Sequence, residues 1–108
     1  MRTVKCRPFK RREMEQIPGF VYCGDACWGY PRSPLYNPYH KEKITQEEKV
    51  AKYRAYLLER IDAGDLAILD ALDALKKDSL LGCWCVPKPC HCDVIAEVWA
   101  ALHAGAAS

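Results

Sequence analysis

The chain has 108 residues, half of them apolar and 28% charged. That composition fits one soluble domain with a single core, and it excludes a disordered chain or a pair of domains. No run approaches the ~20 apolar residues of a membrane helix, and the charged start lacks the apolar stretch of a secretory signal, so a cytoplasmic chain is expected. The net charge of +2 is unevenly placed. Residues 1–12 carry six bases (Arg2, Lys5, Arg7, Lys10, Arg11 and Arg12) and no acid, on a body with ten bases and fourteen acids.

Residues 3–6 are short and partly β-branched, the pattern of a strand. Residues 10–16 are highly charged and read as a loop or a short helix. Pro18-Gly19 marks a turn. The apolar run 20–23 then predicts a short buried strand ending at Gly24. Residues 24–40 lack periodicity, and Pro31, Pro34 and Pro38 break any helix. A loop of this length carrying Trp28, Tyr30, Tyr36 and Tyr39 is more than a linker.

Thr45-Gln46-Glu47-Glu48 has the form of a capping box. Val50, Tyr53, Leu57 and Ile61 follow on one helical stripe, and Gly64 stops it. Asp65 opens a second helix with Ile68, Leu69, Leu72 and Leu75 on one face. Lys76 and Lys77 suit its C-terminal end. The apolar run 80–85 predicts an interior strand covered on both faces, closed by Pro87 and Pro89. On it, Cys83 and Cys85 share one face and Trp84 takes the other. A last helix runs from Cys90 or His91 to His103, with Val94, Ile95, Val98, Trp99 and Leu102 on its buried side.

This order predicts a small α/β domain with a three- to four-stranded, mostly parallel, Rossmann-like sheet and about three helices. An α+β arrangement is the alternative. The basic arm covers residues 1–16, the core 17–103 and a frayed tail 104–108.

Seven cysteines are too few for a disulfide scaffold, which needs ~8–10% of residues, and their number is odd. Reduced thiols are therefore expected. Four of the seven, with His91 and Asp93, fall in residues 83–93. That stretch joins a strand end to a helix start, where open α/β sheets bind ligands and where a helix N-terminus suits phosphate and lowers a thiol pKa.

Cys85, Cys90, His91 and Asp93 are the candidate catalytic groups. Cys90 and His91 are helix neighbours whose side chains diverge, so Cys85 with His91 is the better expected pair. Gly24, Asp25, Arg32, Asn37 and Lys88 are candidate ligand-binding groups if the two loops meet at one sheet edge. Asp25 also reads as a turn residue and Lys88 as a solvated lysine, while His40 and His103 read as surface residues. A zinc site from Cys23, Cys27, Cys90 and Cys92 is a second possibility, and Cys6 and Cys83 read as small core fillers. The six N-terminal bases could hold nucleic acid. No Cys-x-x-Cys, Gly-x-Gly-x-x-Gly, Walker loop or zinc-deaminase signature is present.

The stretch Cys83-Trp84-Cys85-Val86-Pro87-Lys88-Pro89-Cys90-His91-Cys92-Asp93-Val94 resembles the Cys-Trp-Cys-x-Pro-x-x-Cys-His-Gly-Asp-Val signature of a small family of unknown function found in bacteriophages and bacteria. Val21-Tyr22-Cys23-Gly24 resembles that family's strand–Gly-Arg element, and residues 33–39 its Ser-Pro-Leu-Gly-Asn-Pro-Phe loop. The resemblance implies an α/β domain of phage or prophage origin, with Asn37, Cys85, Cys90, His91 and Asp93 in a shared site. It brings no activity. Asp25 stands where arginine is usual, and Tyr36 and Cys92 where glycine is usual.

Two expectations follow. The first is a protein that binds a nucleotide or another phosphate-bearing ligand at a Cys/His sheet edge. The second is a non-catalytic zinc-stabilised module that binds nucleic acid or a host protein.

Overall fold

In a computed structural model, residues 1–85 and 88–104 are described. The elements are β1 (Arg2–Lys5), α1 (Arg11–Glu15), β2 (Phe20–Tyr22), α2 (Gln46–Asp62), α3 (Leu66–Asp73), β3 (Leu80–Cys83) and α4 (His91–Ala104). Among them the sheet has three strands in the order β1-β3-β2, all parallel. The segment expected to be loop or short helix is α1. The expected role of Pro87 and the tail at 105–108 lie outside the described residues.

The central place of β3 follows from its apolar run. Leu81 and Cys83 are buried in the larger core with Tyr53 and Leu57 of α2, Ile68 and Leu72 of α3, and Val94, Ile95 and Val98 of α4. The opposite face holds Cys6, Met14 and Tyr30, with Phe20, Tyr22 and Trp84 packed on them. An added Cβ at Gly82 would stand 2.5 Å from the Phe20 ring and 2.9 Å from Cys6 Sγ, so the absence of a side chain lets this second layer close.

Two helix ends follow the sequence signals. Thr45 Oγ1 accepts from the Glu48 amide at 3.1 Å and donates to the Glu48 carboxylate, also at 3.1 Å. That is one half of the capping box, with a side-chain bond replacing the other. Gly64 follows α2 at φ +75°, a left-handed turn that glycine adopts without strain. Helix α3 ends at Asp73, short of the predicted stripe, although Leu75 is still buried. Leu102, expected on the buried face of α4, is half exposed.

Candidate functional site

The parallel register sends β2 and β3 to the same edge, where both strands hand over to loops. The amide of Cys23 still bonds to the Gly82 carbonyl at 3.0 Å, and the amide of Cys6 to the Cys83 carbonyl at 2.8 Å. Beyond them lies a cleft of about 370 Å³. One wall comes from Gly24, Asp25 and Asn37 of the long loop. A second comes from His40, Lys41, Gln46 and Lys49. The floor is Cys83, Trp84, Cys85 and His91.

The long loop is held by side chains bonding to backbone. Leu35 N donates to Ser33 Oγ at 3.1 Å and Tyr39 N to Asn37 Oδ1 at 2.9 Å, while the buried Tyr53 hydroxyl donates to the Leu35 carbonyl at 2.8 Å. Such local bonds suit Ser and Asn in turns and explain why both residues are buried. Trp84 Nε1 donates to the Tyr22 hydroxyl at 2.9 Å, and that hydroxyl donates to the Asp25 carbonyl. The hydroxyl sits where a Cβ at Gly24 would be, 2.5 Å away, so this close approach requires glycine.

Asp25 accepts from Arg32 Nε at 2.6 Å and bonds to His40 Nε2 at 2.9 Å. These partners hold its carboxyl well below the usual range, the Arg32 bond most of all. Arg32 also lies over the Tyr36 ring, 4.5 Å from its centre. Asp25 is thereby neutralised, which leaves Lys41 and Lys49 as the cationic groups of the walls. Lys49 gives one proton to the His40 carbonyl at 2.8 Å. An ammonium has two more to offer.

The sulfur cluster lies under the floor. The Sγ atoms of Cys83, Cys90 and Cys92 are buried and within 4.8 Å of one another, with Cys83 and Cys90 2.9 Å apart. Cys90 immediately precedes α4 and caps it. Its Sγ accepts from the Cys92 amide at 3.5 Å, and its own amide donates to Asp93 Oδ2 at 3.2 Å. This is a capping box with a thiol in place of a hydroxyl. His91 Nδ1 lies 3.6 Å from Cys90 Sγ, and its Nε2 donates to the Cys23 carbonyl at 2.6 Å.

Bonds from the Cys83, Cys85 and Cys92 thiols push the Cys90 thiol down. Burial pulls His91 down, but Cys90 outweighs it and the imidazole ends above its ordinary value. Cys85, half buried at the cleft, is pushed up by its bonds with Cys83 and Cys90 and by burial. Cys90 is buried, whereas Cys85 is half-buried and lines the cleft.

Of the expected residues, Gly24, Asp25, Asn37, Cys85 and His91 meet in the cleft. Arg32 reaches it only through Asp25, and Lys88 is exposed. Asp93 caps α4 and contacts Thr3 Oγ1 at 3.5 Å, so the start of α4 is occupied by its own chain rather than open to phosphate. Cys90 and His91 do meet, because Cys90 stands outside the helix. The bonds of the imidazole go to Cys90 and Cys23, not to Cys85.

The expected metal set divides. Cys90 and Cys92 are in the cluster, whereas Cys23 Sγ donates to the Val21 carbonyl at 3.6 Å. Cys27 lies against the Tyr22 hydroxyl at 3.5 Å instead. Cys83, expected as filling, is a member of the cluster. Cys6 is core filling, with burial pushing its thiol up to about 12. Sequence reading missed His40, Lys41, Gln46 and Lys49. The one available signal was Gln46 and Lys49, three residues apart on the first turn of a capped helix that follows the long loop.

The molecule is a thiol-rich parallel α/β domain with a cleft at the carboxyl ends of its strands. The chain belongs to the family described as Domain of unknown function (DUF4326), whose profile matches residues 6–101. That span includes every residue of the cleft. No curated protein and no solved structure matches the chain. Among the described residues, no helix is long and apolar enough to cross a membrane.

Proposed function

We propose that the protein binds a nucleotide or a similar phosphate-bearing small molecule in this cleft. The observation that carries the reading is the convergence of three separate segments on one largely apolar cavity, edged by Asn37, Lys41, Gln46 and Lys49, at the carboxyl ends of parallel strands. Its volume lies in the lower part of the ~300–1,000 Å³ range of ligand sites and suits a mononucleotide. Lys41 and Lys49 supply cations for phosphate, Asn37 and Gln46 supply amides, and Trp84 supplies a ring face. On this reading the chain is a phage-type protein acting in the host cytoplasm.

Thermal melting with a panel of nucleoside monophosphates, and with inorganic phosphate alone, tests it. A ligand at a hundredfold excess over its Kd adds about 2.7 kcal/mol. A panel in which no member raises Tm refutes the reading. Lys49→Gln is expected to keep the fold and weaken the shift.

A second reading rests on a different observation. Phe9 and Trp28 are exposed, at 74% and 51%, and their rings meet edge to face at 5.2 Å. Both backbones are left-handed, at φ 57° and 50°, a conformation that costs a bulky residue roughly 1–2 kcal/mol. Lys10, Arg11 and Arg12 line the same concavity. Rings among cations suit single-stranded nucleic acid, although Arg7, Lys10 and Arg11 also pair with Glu13 or Glu15. Trp28→Ala should weaken binding of an oligonucleotide, and raised salt should weaken binding to the parent protein. Binding that ignores salt removes this reading.

A further inference from the structure

We propose that Cys83, Cys90 and Cys92 hold one zinc ion as thiolates, with Nδ1 of His91 as the fourth ligand. The site forms where the end of β3 meets the start of α4. Both elements are fixed by the sheet and the core, so the three sulfurs are positioned before any ion arrives.

The histidine carries the first argument. A carbonyl oxygen only accepts, so the 2.6 Å contact with Cys23 requires a proton on Nε2. In the neutral ring, Nδ1 is then left with its lone pair, aimed at Cys90 Sγ from 3.6 Å. Metal-binding histidines are commonly held this way, with the far N–H on a backbone carbonyl. The edge of Tyr53, whose ring centre is 4.9 Å from that of His91, fixes the imidazole from the side.

Distances carry the second. Zinc bonds of about 2.3 Å to sulfur and 2.0–2.1 Å to nitrogen give a tetrahedron with an S···N edge of about 3.6 Å and an S···S edge of about 3.8 Å. The Cys90–His91 separation of 3.6 Å already matches, while Nδ1 stands outside the group formed by the three sulfurs, so the imidazole must move toward Cys83 and Cys92 to complete the tetrahedron. The three sulfurs lie within 4.8 Å of one another. Cys83 and Cys90, at 2.9 Å, are closer than the ~3.5–4.0 Å of ordinary non-bonded contact. An ion between them would draw them to the tetrahedral edge and relieve that crowding.

The surroundings carry the third. The Cys92 amide already donates to Cys90 Sγ, as outer-shell donors to a ligating thiolate do. Thiolates are soft donors that select zinc over magnesium or calcium. Binding exchanges three thiol protons, which leave to solvent, for one Zn²⁺, so the completed centre carries one negative charge. With four protein ligands it is closed and structural, and it underlies the floor of the cleft.

The test uses the full chain, reduced and freed of metal, titrated with cobalt(II) and then zinc. One equivalent of cobalt should produce thiolate-to-metal charge-transfer and tetrahedral d–d bands, and one equivalent of zinc should abolish them. Chelator competition should give a zinc Kd tighter than roughly 100 nM, the lower bound for structural zinc. Cys92→Ser should weaken binding by about a hundredfold or more. His91→Asn should keep the charge-transfer band, shift the d–d bands and weaken binding. Cys27→Ser should change neither.

Weaker zinc binding in the parent protein overturns the proposal, even if Cys92→Ser does not fold. So does loss of zinc in Cys27→Ser, or an intact mass two protons light from a Cys83–Cys90 disulfide. No nucleotide is present, so failure here leaves the ligand reading standing. Loss of nucleotide binding in Lys49→Gln leaves the zinc reading standing.

Discussion

Tyr53→Phe isolates one hydrogen bond that joins the core to the cleft. Tyr53 is fully buried on α2, and its hydroxyl donates to the Leu35 carbonyl at 2.8 Å. Removing the oxygen leaves that carbonyl without its donor inside the fold, since Leu35 is buried too. A buried group left unpaired costs about 1–3 kcal/mol, and the phenyl ring keeps nearly all of the packing. A middle figure of about 1.5 kcal/mol can be converted to temperature. At about 2.1 cal/mol/K per residue, a chain of 108 residues has an unfolding entropy near 0.23 kcal/mol/K, so Tm should fall by roughly 6–7 °C. Urea unfolding should show a lower midpoint at unchanged m. Hydrogen exchange should quicken at residues 33–39, because Leu35 anchors the loop that brings Asn37 to the cleft. Tyr56→Phe, which alters a half-buried ring, serves as the control. An unchanged midpoint, or equal losses in both variants, would refute the claim that this bond anchors the loop.

Other outcomes follow from the same geometry. Asp93→Ala removes the acceptor for the Cys90 amide and an acid from the first turn of α4. It should cost about 1–2 kcal/mol in urea unfolding, and a neutral effect would mean the thiol-headed capping box contributes nothing. Asp25 has a folded pKa below its unfolded value, so its contribution is full above about pH 4 and is lost as pH falls through the folded value. Asp25→Asn should therefore lower stability at pH 7 by about 1 kcal/mol and flatten the acid limb of a stability–pH curve. An acid limb identical to that of the parent protein would rule this out. Gly64→Ala should lower stability by about 1 kcal/mol through its left-handed backbone alone, since a Cβ there meets nothing within 4 Å. A stabilised variant would contradict it.

The sequence by itself determined the elements and the layering. The apolar run of β3 demanded cover on both faces, and the stripe Val50, Tyr53, Leu57 and Ile61 fixed the inward side of α2. Thr45, Asp65 and Gly64 marked helix ends, because caps and left-handed turns are satisfied within a few residues. The importance of residues 83–93 was also legible, since a dense run of thiols with an imidazole has few purely structural causes.

Partnership was not legible, because it is decided across the sheet. Cys83 looked like filling, but the fold sets Cys90 Sγ against it at 2.9 Å. Cys27 looked like a ligand until the Tyr22 hydroxyl held it on the other face. Cys90 and His91 looked divergent because a helix was assumed for both, whereas Cys90 caps the helix from outside. Asp93 looked reactive, but the free amide of Cys90 claimed its carboxylate. Lys49 and His40 entered the cleft only because α2 crosses beside the loop, a placement that depends on packing and leaves no local signature.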